Sequence, residues 1–180
     1  NPTWAYGQHY YVPNGAGYTV TSLTLSVAST NFAGESVAGL TVIAAIYKWS
    51  DANEDGVAQG DERELLGFRE YEIQEGDAAT TPINIPFNDV EGEEILLEDD
   101  TEYLVMNIAN GPISLGASTG TFDYGATNFL TGNNDAPRYA GFIGLSNDLA
   151  TEDYTPVGTA QQFVPFVRMN INTTPVNIEE

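Results

Sequence analysis

Oxygen-bearing side chains recur at alternate positions in Asp51-Ala52-Asn53-Glu54-Asp55-Gly56-Val57-Ala58-Gln59-Gly60-Asp61-Glu62. A hard cation takes six to eight oxygens, and a twelve-residue loop can supply them from positions 1, 3, 5, 7, 9 and 12. Here those positions are Asp51, Asn53, Asp55, the Val57 carbonyl, Gln59 (directly or through water) and Glu62. Gly56 falls at position 6, where the chain must turn sharply in a conformation that glycine takes easily. Asp61 and Glu64 are spare carboxylates nearby. The run matches D-x-[DN]-x-[DN]-G-x5-E at every defined position, so the expected cofactor is Ca2+. The alternative is a plain surface turn, since Asp, Asn and Gly favour turns in any case, but a turn needs only one or two of them. If the loop binds calcium, Asp51→Ala or Glu62→Ala lowers the melting temperature in calcium and has little effect in a chelator.

Other chemistry finds few candidates. His9 is the single histidine, and no G-x-S-x-G nucleophile elbow accompanies it. It reads as an ordinary strand residue. A zinc site needs further His or Cys ligands, and the chain has no cysteine at all. Disulfides and thiolate catalysis are excluded with it. Residues 111–125 are rich in glycine but lack the Gly-Lys-Ser/Thr of a phosphate loop. Carboxylate pairs carry no information among 26 acidic residues. The chain is therefore expected not to be an enzyme. Exposed aromatics can stack on sugar rings, and Trp4 near the N-terminus and Tyr124 in an irregular stretch are the candidate ligand-binding residues. The competing assignment for the aromatics as a group, Tyr6, Tyr10, Tyr11 and Tyr18 included, is the core of a sandwich.

Five Lys and Arg against 26 Asp and Glu give a net charge of −21. Such a surface repels nucleic acid and anionic membranes, so neither is an expected partner. Divalent cations or high ionic strength would relieve the self-repulsion. Charge and loop together point outside the cell, to an extracellular or cell-surface protein. No apolar run is long enough to span a membrane. The chain begins at Asn1, without a signal peptide, which reads as a processed or excised segment.

The elements that must position the loop read as strands. Leu40 to Trp49 precedes it, rich in β-branched and aromatic residues, with an almost wholly apolar centre that predicts burial on both faces. Leu65 to Ile73 follows, alternating apolar and polar. At most one helical turn fits, around Asp61 to Leu65. Tyr6 to Val12 is an aromatic strand closed by the turn signal Pro13-Asn14-Gly15. Tyr18 to Ala28 alternates, one face buried and one wet, with a phase slip at Thr21-Ser22 that predicts a bulge. Residues 29–36 read as loop. Pro82 to Phe87, bracketed by prolines, reads as an edge strand. Thr101 to Ala109, Arg138 to Leu145 and Phe163 to Ile171 are further strands. Residues 113–134 read as a long surface excursion and 146–161 as polar loop. No internal repeat is present. The expected fold is all-β: a two-sheet antiparallel β-sandwich, jelly-roll-like, with an EF-hand-like calcium loop between two strands. It forms one domain over 1–172, with 173–180 as a C-terminal linker or tail.

The run Ile46-Tyr47-Lys48-Trp49 leading into the loop, then Glu64-Leu65-Leu66-Gly67, resembles modules of large secreted Bacteroidota proteins exported by the type IX system. Pro82 to Phe87, Ile95 through Val105 and the closing Phe163 to Asn170 are similar to the same modules. The tail Thr173 to Glu180 resembles the linker that precedes a cleaved sorting domain. The resemblance implies a compartment and a kind of module, not an activity. The expected function is a secreted, calcium-stabilised structural or adhesive protein, such as a subunit of an extracellular filament or surface layer. Its expected partners are copies of itself, other surface proteins or glycans. An aromatic N-terminal strand fits donation to a neighbour's sheet edge, in which case removal of residues 1–12 abolishes assembly but spares the fold. The alternative function is a carbohydrate-binding module of a larger secreted enzyme.

Overall fold

Alternating apolar and polar residues build two antiparallel sheets with their apolar faces together. The computed structural model describes residues 4–25, 31–32, 35–77, 82–87, 94–110, 117–119, 141–145, 153–157, 163–165 and 167–172. The chain runs through β1 (Trp4–Val12), β2 (Thr19–Leu25), the short pair β3 (Asn31–Phe32) and β4 (Glu35–Ser36), and β5 (Thr41–Trp49). A 3₁₀ turn (Gly60–Glu62) then leads into β6 (Arg63–Glu72), β7 (Ile83–Pro86), β8 (Ile95–Leu96) and β9 (Thr101–Asn110). The last strands are β10 (Ala117–Thr119), β11 (Gly141–Leu145), β12 (Thr155–Val157), β13 (Phe163–Pro165) and β14 (Val167–Ile171).

One sheet has six strands in the order β12-β11-β1-β9-β5-β6. The other has β14-β2-β7, with β8 also paired to β2. Between them lies the main core. Tyr6, Tyr10, Val42, Ile46, Tyr103 and Val105 face Val20, Leu23, Leu25, Ile83, Ile85 and Val167 across it. A second cluster covers the outer face of the larger sheet: Ala45, Tyr47, Trp49, Leu104, Met106 and Ile108, with Ala58 and Tyr154. This double burial is why the centre of β5 is apolar on both sides, as its sequence predicts.

The bulge at Thr21 is present: Ile171 pairs with Val20 and Asn170 with Ser22, leaving Thr21 unmatched. The polar face of β2 is less wet than alternation suggests. Ser22 and Thr24 are buried, because Asn170 Nδ2 donates to both hydroxyls at 3.0 and 2.7 Å and Thr24 donates to Asn84 at 3.1 Å. β7 ends its sheet, as the bracketing prolines predict.

Five expectations need correction. The stretch 113–134, read as a surface excursion, contains β10, paired with β13, and the stretch 146–161, read as polar loop, contains β12, paired with β11. The stretch 29–36 contains the β3–β4 pair rather than loop alone. The closing strand is two strands: β13 ends at Pro165, which has no N–H to carry a ladder on, and pairs with β10, while β14 pairs with β2. The N-terminal strand is not a spare arm. β1 is inserted between β11 and β9, in register with β9 from Trp4↔Ala109 to Val12↔Thr101. Removing residues 1–12 would take out an interior strand and much of the core, so the fold would not be spared.

Burial of the Tyr6 and Tyr10 phenols raises both well above the ordinary tyrosine range. A folded value above the unfolded one, about 10, means that the stabilisation is complete below that pH and is lost as pH rises further. In an alkaline titration, absorbance should show these two phenols ionising only together with loss of the far-ultraviolet β signal. Tyr6→Phe should raise the pH of that transition. Ionisation of all tyrosines in a still-folded chain would contradict the burial.

Candidate metal centre

The loop is the hairpin between β5 and β6, whose ladder runs from Thr41↔Glu72 to Trp49↔Arg63. Ser50 N–H donates to the Glu62 carbonyl at 3.1 Å, extending the ladder to the loop's mouth. Strand flanks are therefore present, as expected, and the helical content is the single 3₁₀ turn Gly60–Glu62.

Inside the loop, side-chain oxygens collect backbone N–H groups. Asp51 Oδ2 accepts from Gly56 N–H at 3.1 Å. Asn53 Oδ1 accepts from Asp55 N–H at 2.9 Å, and Asp55 Oδ1 from Val57 N–H at 2.8 Å. Glu62 Oε1 reaches back to Ala52 N–H at 3.1 Å and Asn53 N–H at 3.4 Å. Gly56 has φ +76°, the left-handed turn anticipated at position 6, and Glu54 also has positive φ, 59°. These bonds curl the backbone around its own side chains.

Two carboxylates then keep an oxygen in reserve. Asp51 Oδ1 and Glu62 Oε2 are both buried and have no hydrogen-bond partner among the described residues. A buried anionic oxygen without a donor or counter-charge is costly. A cation at the loop would satisfy both, and an all-oxygen donor set suits a hard one. The other donors are arranged differently. Asp55 Oδ2 takes the Gln59 side-chain amide at 3.0 Å, so both Asp55 oxygens are engaged. The Val57 carbonyl accepts Gln59 N–H at 3.0 Å. Among the described residues, no three Asp, Glu or His side chains come close enough together to hold a metal ion. Asn53, Gln59 and the Val57 carbonyl are neutral donors, and Asp55 is engaged by the Val57 N–H and the Gln59 side-chain amide.

The sequence reading missed two residues that hold this hairpin. Tyr154, within a stretch read as polar loop, pairs its backbone with Ala58 in both directions. The Arg63 guanidinium, next after Glu62, lies 4.0 Å from the centre of the Tyr154 ring and 5.0 Å from that of Tyr47. An isolated aromatic in a polar segment was the available signal for Tyr154. His9 is buried edge-on to Trp49 and stands 3.5 Å from Glu102, in keeping with its reading as a strand residue. Of the sugar-stacking candidates, Trp4 belongs to β1 by its backbone, and Tyr124 lies outside the described residues. Tyr6 and Tyr10 are core residues, which removes both from any exposed platform.

No family model and no curated protein matches the chain. Among solved structures it is similar to the crystal structure of the cysteine protease and lectin-like domains of Cwp84, a surface layer associated protein of Clostridium difficile. The identity is 12%, the TM-score 0.55, and the match covers 97% of this chain and 33% of that one. The chain thus spans about a third of that structure's length. At such identity the likeness is one of fold. With no cysteine, this chain cannot perform cysteine-protease chemistry. Among the described residues no helix is long and apolar enough to cross a membrane.

Proposed function

We propose that this protein is a secreted β-sandwich of the cell surface, stabilised by calcium at the Asp51–Glu62 loop, with a structural or adhesive role such as a filament or surface-layer subunit. The observation that carries the reading is the pair of buried, unpartnered carboxylate oxygens, Asp51 Oδ1 and Glu62 Oε2, inside a loop of calcium spacing. Asp51 and Glu62 would hold the ion, with Asn53, the Val57 carbonyl and Asp55 or Gln59 completing the shell. A bound ion would supply the positive charge that these oxygens lack. Millimolar calcium outside cells suits such a site, whose affinity is expected near 0.1 to 1 mM, on the order of other extracellular modules. A net charge of −21 makes contact between copies unfavourable unless cations screen or bridge it. The resemblance to type IX-exported modules supports the compartment, with residues 1–172 as the module and 173–180 as its linker.

Light scattering on native protein tests the assembly role. Polymers in millimolar calcium that dissociate in a chelator are the expected result, and a monomer in both buffers would contradict it. The second reading, a carbohydrate-binding module, draws on the lectin-like domain named for the structural neighbour. It takes precedence if the protein stays monomeric and binds a glycan array through Trp4 or Tyr124.

A further inference from the structure

Filling the calcium loop and docking the segment 153–157 share a single peptide group. The Ala58 N–H donates to the Tyr154 carbonyl at 2.9 Å, and the Tyr154 N–H returns to the Ala58 carbonyl at 3.0 Å. In a trans peptide the C=O and N–H point opposite ways. The Ala58 N–H is bonded outward to Tyr154, so the Val57 carbonyl of the same peptide points the opposite way, where it accepts Gln59 N–H at 3.0 Å within the loop and keeps a second lone pair. That carbonyl is position 7 of the motif. Two residues on, Gly60 N–H donates to Asp153 Oδ1 at 3.3 Å.

The Tyr154 side chain anchors this arrangement. It is fully buried, and it covers Gly144, where an added Cβ would come within 2.8 Å of its ring. Its hydroxyl lies 3.3 Å from that of Tyr47, and the two rings meet edge-on. Arg63, the first residue after the position-12 glutamate, stacks on its face. The same aromatic therefore fixes the middle of the loop through its backbone and the exit of the loop through its ring.

We infer that Tyr154 is a positioning residue for calcium, orienting the Val57 carbonyl from behind, and that calcium in turn holds β12 against β11 at the edge of the six-stranded sheet. The inference rests on the calcium reading of the loop. It follows from linkage: a contact that favours the binding-competent loop is strengthened, by the same factor, when the ion binds. Groups behind a metal's direct ligands commonly change affinity by about 10- to 100-fold.

The test combines calorimetry and hydrogen exchange. Calcium titrated into Tyr154→Ala should bind about ten-fold more weakly than into the natural chain, and Tyr154→Phe, which keeps the ring and the backbone pairing, should restore most of the affinity. In the natural chain, exchange at the Ala58 and Tyr154 amides should slow in calcium relative to chelator. The slowing should approach the ratio of free calcium to its dissociation constant. The Asn172 amide, bonded to Thr19 at the far end of the other sheet, should change little. Absence of calcium uptake by the natural chain would overturn the calcium reading, and the coupling with it. Uptake with equal affinity in a folded Tyr154→Ala, or with unchanged exchange at Ala58 and Tyr154, would overturn the coupling alone. If Tyr154→Ala does not fold, the exchange experiment on the natural chain decides.

Discussion

Asp51→Asn and Glu62→Gln are each expected to lower the melting temperature by roughly 5 to 10 °C in calcium at about a hundred times its dissociation constant, and to match or exceed the natural chain in a chelator. At a hundred times its dissociation constant a ligand adds about 2.7 kcal/mol. In a chain of this length each kcal/mol moves the midpoint by about 2 to 4 °C. The amide variants are the informative ones because Asp51 Oδ2 and Glu62 Oε1 also hold the Gly56, Ala52 and Asn53 N–H groups. Alanine would remove those bonds whether or not calcium is present. This corrects the simpler expectation that alanine at either position would be silent in a chelator. Asparagine and glutamine keep an accepting oxygen and remove the charge. Without the ion, the natural chain buries two anionic oxygens that no donor meets, a cost that neutral amides reduce. The order of stabilities should therefore reverse, or at least close, between the two buffers. An equal loss in both would mean that these carboxylates serve the hairpin and not a cation.

What was legible in the sequence is what is local. The loop's donors lie a few residues apart, and their spacing states its chemistry without reference to the fold. The same holds for Gly56, whose position in the motif foretells its left-handed backbone, and for Thr21, where a break of phase within one strand marks the bulge. Partners distant in sequence were not legible. Tyr154 reads as one aromatic in a polar stretch, because its meaning comes from Ala58, Arg63 and Gly144, which only the strand order brings together. Tyr6 and Tyr10 illustrate the ambiguity of aromatics: a core tyrosine and a sugar-stacking tyrosine have the same composition signal, and the register of β1 beside β9 separates them. Phe163 to Ile171 reads as one strand because each half is apolar enough, whereas β13 ends at Pro165, opposite Ala117, and the halves serve different sheets.

Gly7→Ala is expected to cost about 3 kcal/mol, the upper range for inserting a methyl into a filled interior, and to yield little folded protein at 37 °C. Gly7 sits within β1, opposite Met106 of β9. A Cβ there would overlap the Val105 carbonyl and come within 2.5 Å of Met106 Sδ. The carbonyl belongs to the backbone of a central strand, so it cannot swing aside as a side chain could. Relief requires β1 and β9 to separate in the middle of the six-stranded sheet, where Val105 and Met106 are both fully buried. The requirement here is space rather than backbone freedom, since Gly7 is not among the positive-φ glycines. Gly76→Ala supplies the control: nothing lies within 4 Å of a Cβ at that position, and in an exposed turn the substitution should change stability by less than about 0.5 kcal/mol. Urea denaturation of the two variants side by side separates the effects. A Gly7→Ala chain as stable as Gly76→Ala would mean that β1 and β9 do not approach so closely, and would put the register of the central strands in question.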